Sequence, residues 1–254
     1  LYGSCPGFAG RFPYFGTRVY FPKNSHLFLR TCEEGIFESE NIRLLQKLFR
    51  SNTVMFDIGA NIGLISIPIL KKHPDAKVVS FEPSPNSLPF LQRTVKESIY
   101  SNRWKVIPKA VGNKCGKTVF KLSKIEDGAF DGIRETNQTR AIREVYVDLT
   151  TIDFEWMQLN KPEVSIIKCD VEGAELLVIE GAAECIKTTK PYILIEFEPE
   201  NFISYDYTSQ DIFNLCREMN LSIYSIPHLI RINSNEEFTL HLLKTNSYLL
   251  TPAK

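Results

Sequence analysis

Nothing in these 254 residues approaches the ~20 continuous apolar positions of a membrane-spanning helix, so no membrane span is expected. An excess of charge is also missing, since 30 Lys and Arg balance 30 Asp and Glu. A neutral chain has no global field to draw in a polyanion. No basic run interleaved with aromatics occurs either, so no nucleic-acid partner is expected. Histidine is scarce: His26, His73, His228 and His241 stand apart, none with a partner at metal-ligand spacing. His73, before Pro74 at a helix end, serves the helix dipole. The six cysteines, Cys5, Cys32, Cys115, Cys169, Cys185 and Cys216, never adopt the Cys-x-x-Cys spacing of zinc ribbons and redox pairs. A scattered, reduced set fits a cytoplasmic location. The Asn-x-Ser/Thr triplets at Asn137 and Asn220 acquire meaning only in a secretory setting, and the first residues, Leu1-Tyr2-Gly3-Ser4-Cys5-Pro6, carry neither Met nor a signal-peptide pattern.

What is present is an ordinary globular composition, 43% hydrophobic and 24% charged. Residues 1–35, rich in Gly, Pro and aromatics, hold two short strand-like runs, Arg18-Val19-Tyr20-Phe21 and His26-Leu27-Phe28-Leu29. From Glu38 to Phe49 the residues Ile42, Leu44, Leu45, Leu48 and Phe49 recur at helical spacing. Residues 1–50 therefore read as an accessory ribbon and helix packed on a core formed by 51–254. Beyond them come short apolar runs, as in strands buried on both faces: Thr53 to Ile58, Lys77 to Phe81, Trp104 to Ile107, Val164 to Cys169 and Tyr192 to Phe197. Helical segments follow the first, second, fourth and fifth, which predicts an α/β, doubly wound, mostly parallel sheet with right-handed crossovers. Residues 110–150 break this rhythm with a hairpin, Lys117 to Leu122 and Val145 to Leu149, around a polar loop from Ser123 to Arg143. The tail adds a helix near 209–219, a strand near 221–226 and a final strand-like run near Phe238 to Leu243 that pairs antiparallel.

In an open α/β sheet, ligands sit at the carboxyl ends of the strands, where the strand order reverses. The first such turn reads Asp57-Ile58-Gly59-Ala60-Asn61-Ile62-Gly63. Gly59 permits a sharp turn and close approach to a ligand, Ala60 keeps bulk low, and Gly63 lets the next helix pack on the strand. The helix beyond offers free N–H groups, and Pro68 requires it to start late or bend. A nicotinamide dinucleotide site needs Gly-x-Gly-x-x-Gly, whose middle glycine clears the pyrophosphate. Here the spacing is Gly-x-x-x-Gly, and Asp57 ends the strand, which suits a ligand with ammonium and sulfonium charges. The second run ends Phe81-Glu82-Pro83, placing a carboxylate ~20 positions after Gly63, as required to accept from a ribose.

The fourth run ends Lys168-Cys169-Asp170-Val171-Glu172-Gly173-Ala174-Glu175, and the fifth brings Glu196 and Glu198 to the same edge. One or two of these acids suffice to cap the following helix, with the dipole favouring the others. The density exceeds what a cap requires. A carboxylate here is placed to take a proton from a hydroxyl, in the order Asp170, Glu172, Glu196. A divalent cation held by the same oxygens is the alternative, lowering the hydroxyl's pKa by coordination, although no motif specifies a metal. The aromatic clusters Arg11-Phe12-Pro13-Tyr14-Phe15 and Phe202 to Tyr207 read as core or as pocket lining.

Asp57 to Gly63, Phe81-Glu82-Pro83, Ala110-Val111-Gly112, the Asp170 to Glu175 block and Ile195-Glu196 together resemble the FkbM-type S-adenosylmethionine-dependent methyltransferases, from about Glu34 to the end of the fifth run. The resemblance implies a seven-stranded Rossmann-like methyltransferase sheet and O-methylation of a hydroxyl on a small molecule or sugar. It also implies S-adenosylmethionine held by Asp57, Gly59, Ala60, Asn61, Gly63, Glu82, Pro83 and the neighbourhood of Asp148. The other readings are an NAD-dependent oxidoreductase, disfavoured by the missing middle glycine, a methyltransferase-like binding module without catalysis, and a nucleic-acid methyltransferase, disfavoured by the neutral charge.

Overall fold

The computed structural model describes residues 10–136 and 141–253, with backbone alone at 125–127. Cys5, the sequon at Asn137 and the start of the N-terminal ribbon lie outside the described residues.

The chain opens with β1 (Gly10–Tyr14) and β2 (Thr17–Phe21), an antiparallel hairpin. Its two-residue turn, Phe15-Gly16, has φ of 45° and 86°, the double left-handed geometry that matches strand twist. Next comes α1 (His26–Glu34). Here the expectation of a strand at His26–Leu29 is corrected. The Ser25 hydroxyl accepts from the Phe28 amide at 3.2 Å, which caps a helix whose buried face carries Phe28 and Thr31. The expected amphipathic helix follows as α2 (Ser39–Leu48), burying Ile42 and Leu45.

The central sheet is built from β3 (Val54–Ile58), α3 (Ser66–Lys72), β4 (Lys77–Phe81), α4 (Leu88–Glu97) and β5 (Trp104–Ile107) on one side. A second small sheet follows, β6 (Ala110–Val111), β7 (Gly116–Leu122) and β8 (Arg143–Thr150), in which β7 and β8 form the expected hairpin. Then come α5 (Ile152–Gln158), β9 (Val164–Cys169), α6 (Glu175–Glu180), α7 (Ala183–Thr189), β10 (Tyr192–Glu196), α8 (Pro199–Tyr205), α9 (Ser209–Glu218), β11 (Leu221–Ser225), β12 (Ile230–Ile232), α10 (Asn235–Leu242) and β13 (Ser247–Pro252).

The spatial order is β12-β11-β13-β10-β9-β3-β4-β5, with the five from β10 to β5 parallel and β13 inserted antiparallel between β10 and β11. The sheet is therefore mixed and has eight strands, one more than expected. The extra strand is β12, three residues that close a hairpin on β11 and extend the edge. The run Phe238 to Leu243 is also corrected. It belongs to α10, whose first turn is capped by Ser234, and only Phe238 on it is buried. The closing antiparallel strand is β13.

Apolar residues that alternate along the parallel strands serve two cores. Phe56, Ile167 and Ile195 face the layer of α6 and α7, whereas Met55, Ile166 and Leu194 face the layer shared by Ile67, Ile69, Leu45 and the hairpin residues Phe12, Val19 and Phe21. The aromatic cluster at 11–15 is thus mostly core. Pro68 falls in the first turn of α3, which starts late at Ser66, where a missing N–H costs no intrahelical bond. No helix among the described residues is long and apolar enough to cross a membrane. The chain moves from β3 outward to β4 and β5, then returns to β9 on the other side of β3. The gap between β3 and β9 is the reversal point at which a ligand cleft forms.

Candidate active site

At that point the turn after β3 folds back on its neighbours. The amides of Gly59 and Ala60 donate to the Phe81 carbonyl at 3.0 and 3.1 Å, Asn61 N–H donates to Glu82 Oε2 at 2.8 Å, and Gly63 N–H donates to the Ala60 carbonyl at 2.8 Å. The amides of Gly59, Ala60, Asn61 and Gly63 are therefore satisfied inside the protein. Gly59 has φ of 76°, and a β-carbon there would lie 1.8 Å from the Asp170 carbonyl oxygen. What approaches Gly59 closely is the backbone of the strand-end turn after β9. Gly63, at φ of 91°, sits against the Trp104 ring, 2.7 Å from where its β-carbon would be, and does not line the cleft. Its role is packing, as in the second half of the expectation.

The cleft opens to solvent. Asp57, Gly59, Ala60, Asn61, Glu82, Pro83, Asp170 and Glu172 all line it, brought from the ends of β3, β4 and β9. Asp57 is fully buried; Ser66 Oγ donates to its Oδ2 at 2.5 Å, while its Oδ1 has no partner. Burial pushes its carboxyl up, opposed by Lys168 and the Ser66 bond. At the other wall, Glu82 takes the amides of Asn61 and Ser84, each at 2.8 Å, yet burial still raises it to about 7.

A charge cluster separates the two walls. Lys168, 4% exposed, donates to Asp170 Oδ2 at 2.8 Å. Desolvation alone would lower its pKa, but Asp170, Glu38, Asp57 and Glu196 outweigh that and raise it, so the ammonium persists. Glu196 is pushed up to about 8 by burial and by the charges of Asp170 and Glu38. Glu172 is raised for the same reasons, with Asp170 and Glu175 as neighbours, and it holds a left-handed φ of 55°, strain of the kind that collects at functional turns. Glu175 has the structural role: its Oε1 accepts from the Val171 and Gly173 amides, closing the turn that leads into α6. Among the described residues no three His, Cys, Asp or Glu side chains are placed to hold a metal ion.

One expected residue is misplaced. Asp148 lies exposed on β8, paired across the hairpin with Lys117, and is absent from the cleft; strand alternation turns it outward and sends Leu149 inward. Asp153, in the same neighbourhood, accepts from the Glu184 and Cys185 amides and fixes the start of α7. Sequence reading missed Glu38, Asp131 and the covering segment around it. Residues 123–136, expected as a polar loop, fold over the cleft through a short 3-10 turn at 125–130, and Gly128, Ala129, Asp131 and Ile133 line it. Asp131 Oδ2 accepts from Ser84 Oγ and Asn86 Nδ2 at 2.5 and 2.9 Å, and Oδ1 accepts from the Ser123 amide at 2.7 Å. Arg134 pins the far end to α8 through Asp206 at 2.9 Å and the Ser204 carbonyl at 2.6 Å. No local pattern announces contacts over such separations.

This arrangement has known counterparts. A family model described as "Methyltransferase FkbM domain" matches residues 57–223. Over 160 residues the chain is 29% identical to methyltransferase sdnD of Sordaria araneosa, which covers 53% of this chain and 62% of that protein. The chain thus spans less than two thirds of that relative's length. It is 25% identical over 206 residues to hexuronic acid methyltransferase AglP of Haloferax volcanii, covering 80% of this chain and 76% of that protein. The crystal structure of methyltransferase FkbM from Methylobacillus flagellatus KT superposes with a TM-score of 0.53 at 19% identity, over 88% of this chain and 52% of that one, a likeness of fold. With the turn after β3, the carboxylate after β4 and the acidic block after β9 all inside the matched span, the chain belongs to the FkbM methyltransferase family, a family of S-adenosylmethionine-dependent methyltransferases.

Proposed function

We propose that this chain is an S-adenosylmethionine-dependent O-methyltransferase acting on a hydroxyl of a small molecule or sugar, residues 51–254 forming the catalytic domain and residues 1–50 an accessory ribbon and helix. The observation that carries the donor assignment is Asp57 Oδ1, a fully buried, unpartnered acceptor in the wall of the cleft. A buried acceptor left unsatisfied costs ~1–3 kcal/mol, and a donor-bearing ligand with positive charge relieves it. Asp57 thereby takes the charged end, Glu82 accepts from the ribose hydroxyls, and Ala60, Asn61 and Pro83 wall the adenosine. Gly59 and Gly63 shape the turn from behind. When bound, the donor supplies an electrophilic methyl group.

The acceptor's proton goes to Asp170, which lines the cleft and is oriented by Lys168. Glu196, raised to about 8, and Glu172, raised by the same burial and neighbouring charges, stand beside Asp170 and position the acceptor. This revises their rank as second and third bases. A sugar-type acceptor also accords with the name of the Haloferax relative, a hexuronic acid methyltransferase. The NAD reading loses further ground because Asp57 occupies the wall that a pyrophosphate would have to approach.

The test is calorimetry with S-adenosylhomocysteine and with NADH, followed by transfer of a labelled methyl group to a panel of hydroxylated metabolites. Binding of the first and labelling of a hydroxyl support the reading. NADH binding without S-adenosylhomocysteine binding rejects it, and donor binding with no transfer to any acceptor favours a non-catalytic module.

A further inference from the structure

A second cleft adjoins the first along Asp170 and Glu172, at the ends of β9 and β10 and beneath α1 and the start of α8. Six carboxylates line it: Glu38, Asp170, Glu172, Glu175, Glu196 and Glu198. Its basic side chains are His26, whose ring lies against Phe130, and Arg30. Arg30 pairs with Glu34 at 2.9 Å and lies over the Phe37 ring, and Lys168 lines the first cleft and belongs to Asp170. Among the described residues, none donates a hydrogen bond to the Glu196 carboxyl.

A second, independent feature marks the same cavity. Asn201, 1% exposed, lines it with Oδ1 unpartnered, and Glu175, 2% exposed, lines it with Oε2 unpartnered. What the cavity lacks is donors carrying positive charge, and an ammonium supplies three donors and no acceptor. A carboxylate or phosphate group would add acceptors to a surplus of them. A metal ion is less suited, because no three side chains converge on one point with ligand geometry among the described residues.

We propose that this second cleft is the acceptor site and that it takes a hydroxylated amine, of amino-sugar or aminocyclitol type, with the ammonium among Glu196, Glu198 and Asn201 and a hydroxyl at Asp170. The inference rests on the methyl-transfer reading for the direction in which that hydroxyl points. Burial raises Glu38, Glu172 and Glu196, the last to about 8, so Glu196 keeps its proton near neutral pH while the cleft is empty, and an arriving ammonium displaces it. Binding is accordingly accompanied by proton release. The preference runs opposite to the sugar acid named for the Haloferax relative.

The experiment is calorimetry on the full chain saturated with S-adenosylhomocysteine, using glucosamine, glucose and glucuronic acid near neutral pH in two buffers of different ionisation enthalpy. Expected is a glucosamine affinity about tenfold or more above that of glucose, no binding of glucuronic acid, and a buffer-dependent heat that reports released protons. Glu198→Gln and Glu196→Gln each reduce the preference for glucosamine over glucose while leaving S-adenosylhomocysteine affinity intact, which certifies the fold. Equal affinity for the three sugars, tighter glucuronic acid, or no binding of glucosamine overturns the inference. So does tight binding of magnesium or manganese alone that Glu196→Gln removes. Failure of S-adenosylhomocysteine itself to bind rejects the donor assignment instead, and is seen before any sugar is added.

Discussion

Gly59 passes so close to Asp170 that a β-carbon on the glycine would stand 1.8 Å from the aspartate's carbonyl oxygen. The turn that shapes the donor cleft and the turn that carries the proposed base are therefore one rigid unit, locked backbone to backbone. Gly59→Ala adds both a collision and a disfavoured φ of 76°. The expected outcome is a loss of ~2–4 kcal/mol in urea unfolding, with S-adenosylhomocysteine affinity reduced about tenfold or more.

Asp57→Asn separates binding from stability. The substitution removes a fully buried carboxyl that burial has already driven up, so unfolding free energy is unchanged or slightly higher. Donor affinity moves the other way, falling roughly ten- to a hundredfold for the loss of one charge-assisted contact. Parallel losses in both measurements would assign Asp57 to the scaffold alone.

Among the described residues, Lys168 is the single buried cation facing Asp57, Asp170, Glu38 and Glu196. Lys168→Met strands these carboxyls, and a cost of ~3–5 kcal/mol is expected near neutral pH. Acidification protonates the stranded groups. The deficit of the variant relative to the parent should therefore shrink in unfolding curves recorded at pH 5, and a constant deficit would mean lost packing only.

The parent protein has its own pH signature. Glu82 and Glu175 are raised to about 7 and Glu196 to about 8, all above the unfolded value of about 4.3. Between these limits the folded state holds more protons than the unfolded one, so stability falls as pH rises from about 4.3 toward 8. Thermal midpoints across this window should decline, and Glu196→Gln should flatten the upper part. A rise with pH would contradict the assignment.

Asp170→Asn tests the base. Turnover should drop by about 10²–10⁴-fold with donor affinity retained. Unchanged turnover on any methylated acceptor would remove Asp170 from the chemistry.

Much of this molecule could be read along the chain because the signals are local. β3, β4, β5, β9 and β10 are short apolar runs, and Asp57, Glu82 and Asp170 end three of them, so the placement of ligands at the carboxyl ends of strands in open α/β sheets puts these acids at one edge. Asp148 failed because a difference of one residue on a strand decides between cleft and solvent, and nothing local fixes that parity on a half-exposed hairpin. The run at Phe238 to Leu243 and the one at His26 to Leu29 failed because caps at Ser234 and Ser25 outweighed short apolar strings.

The sequence by itself determined the doubly wound core, the reversal point between β3 and β9, and the acids that stand there, since each follows from periodicity and turn chemistry within ~20 residues. Tertiary structure alone decided the rest. It made Gly59 a partner of Asp170, brought Glu38 from α2 to Lys168, folded Asp131 onto Ser84 and Asn86, and divided the acidic edge into two adjoining clefts. These are contacts between positions tens of residues apart, in which burial and mutual charge set each group's protonation, and neither quantity exists until the chain has closed on itself.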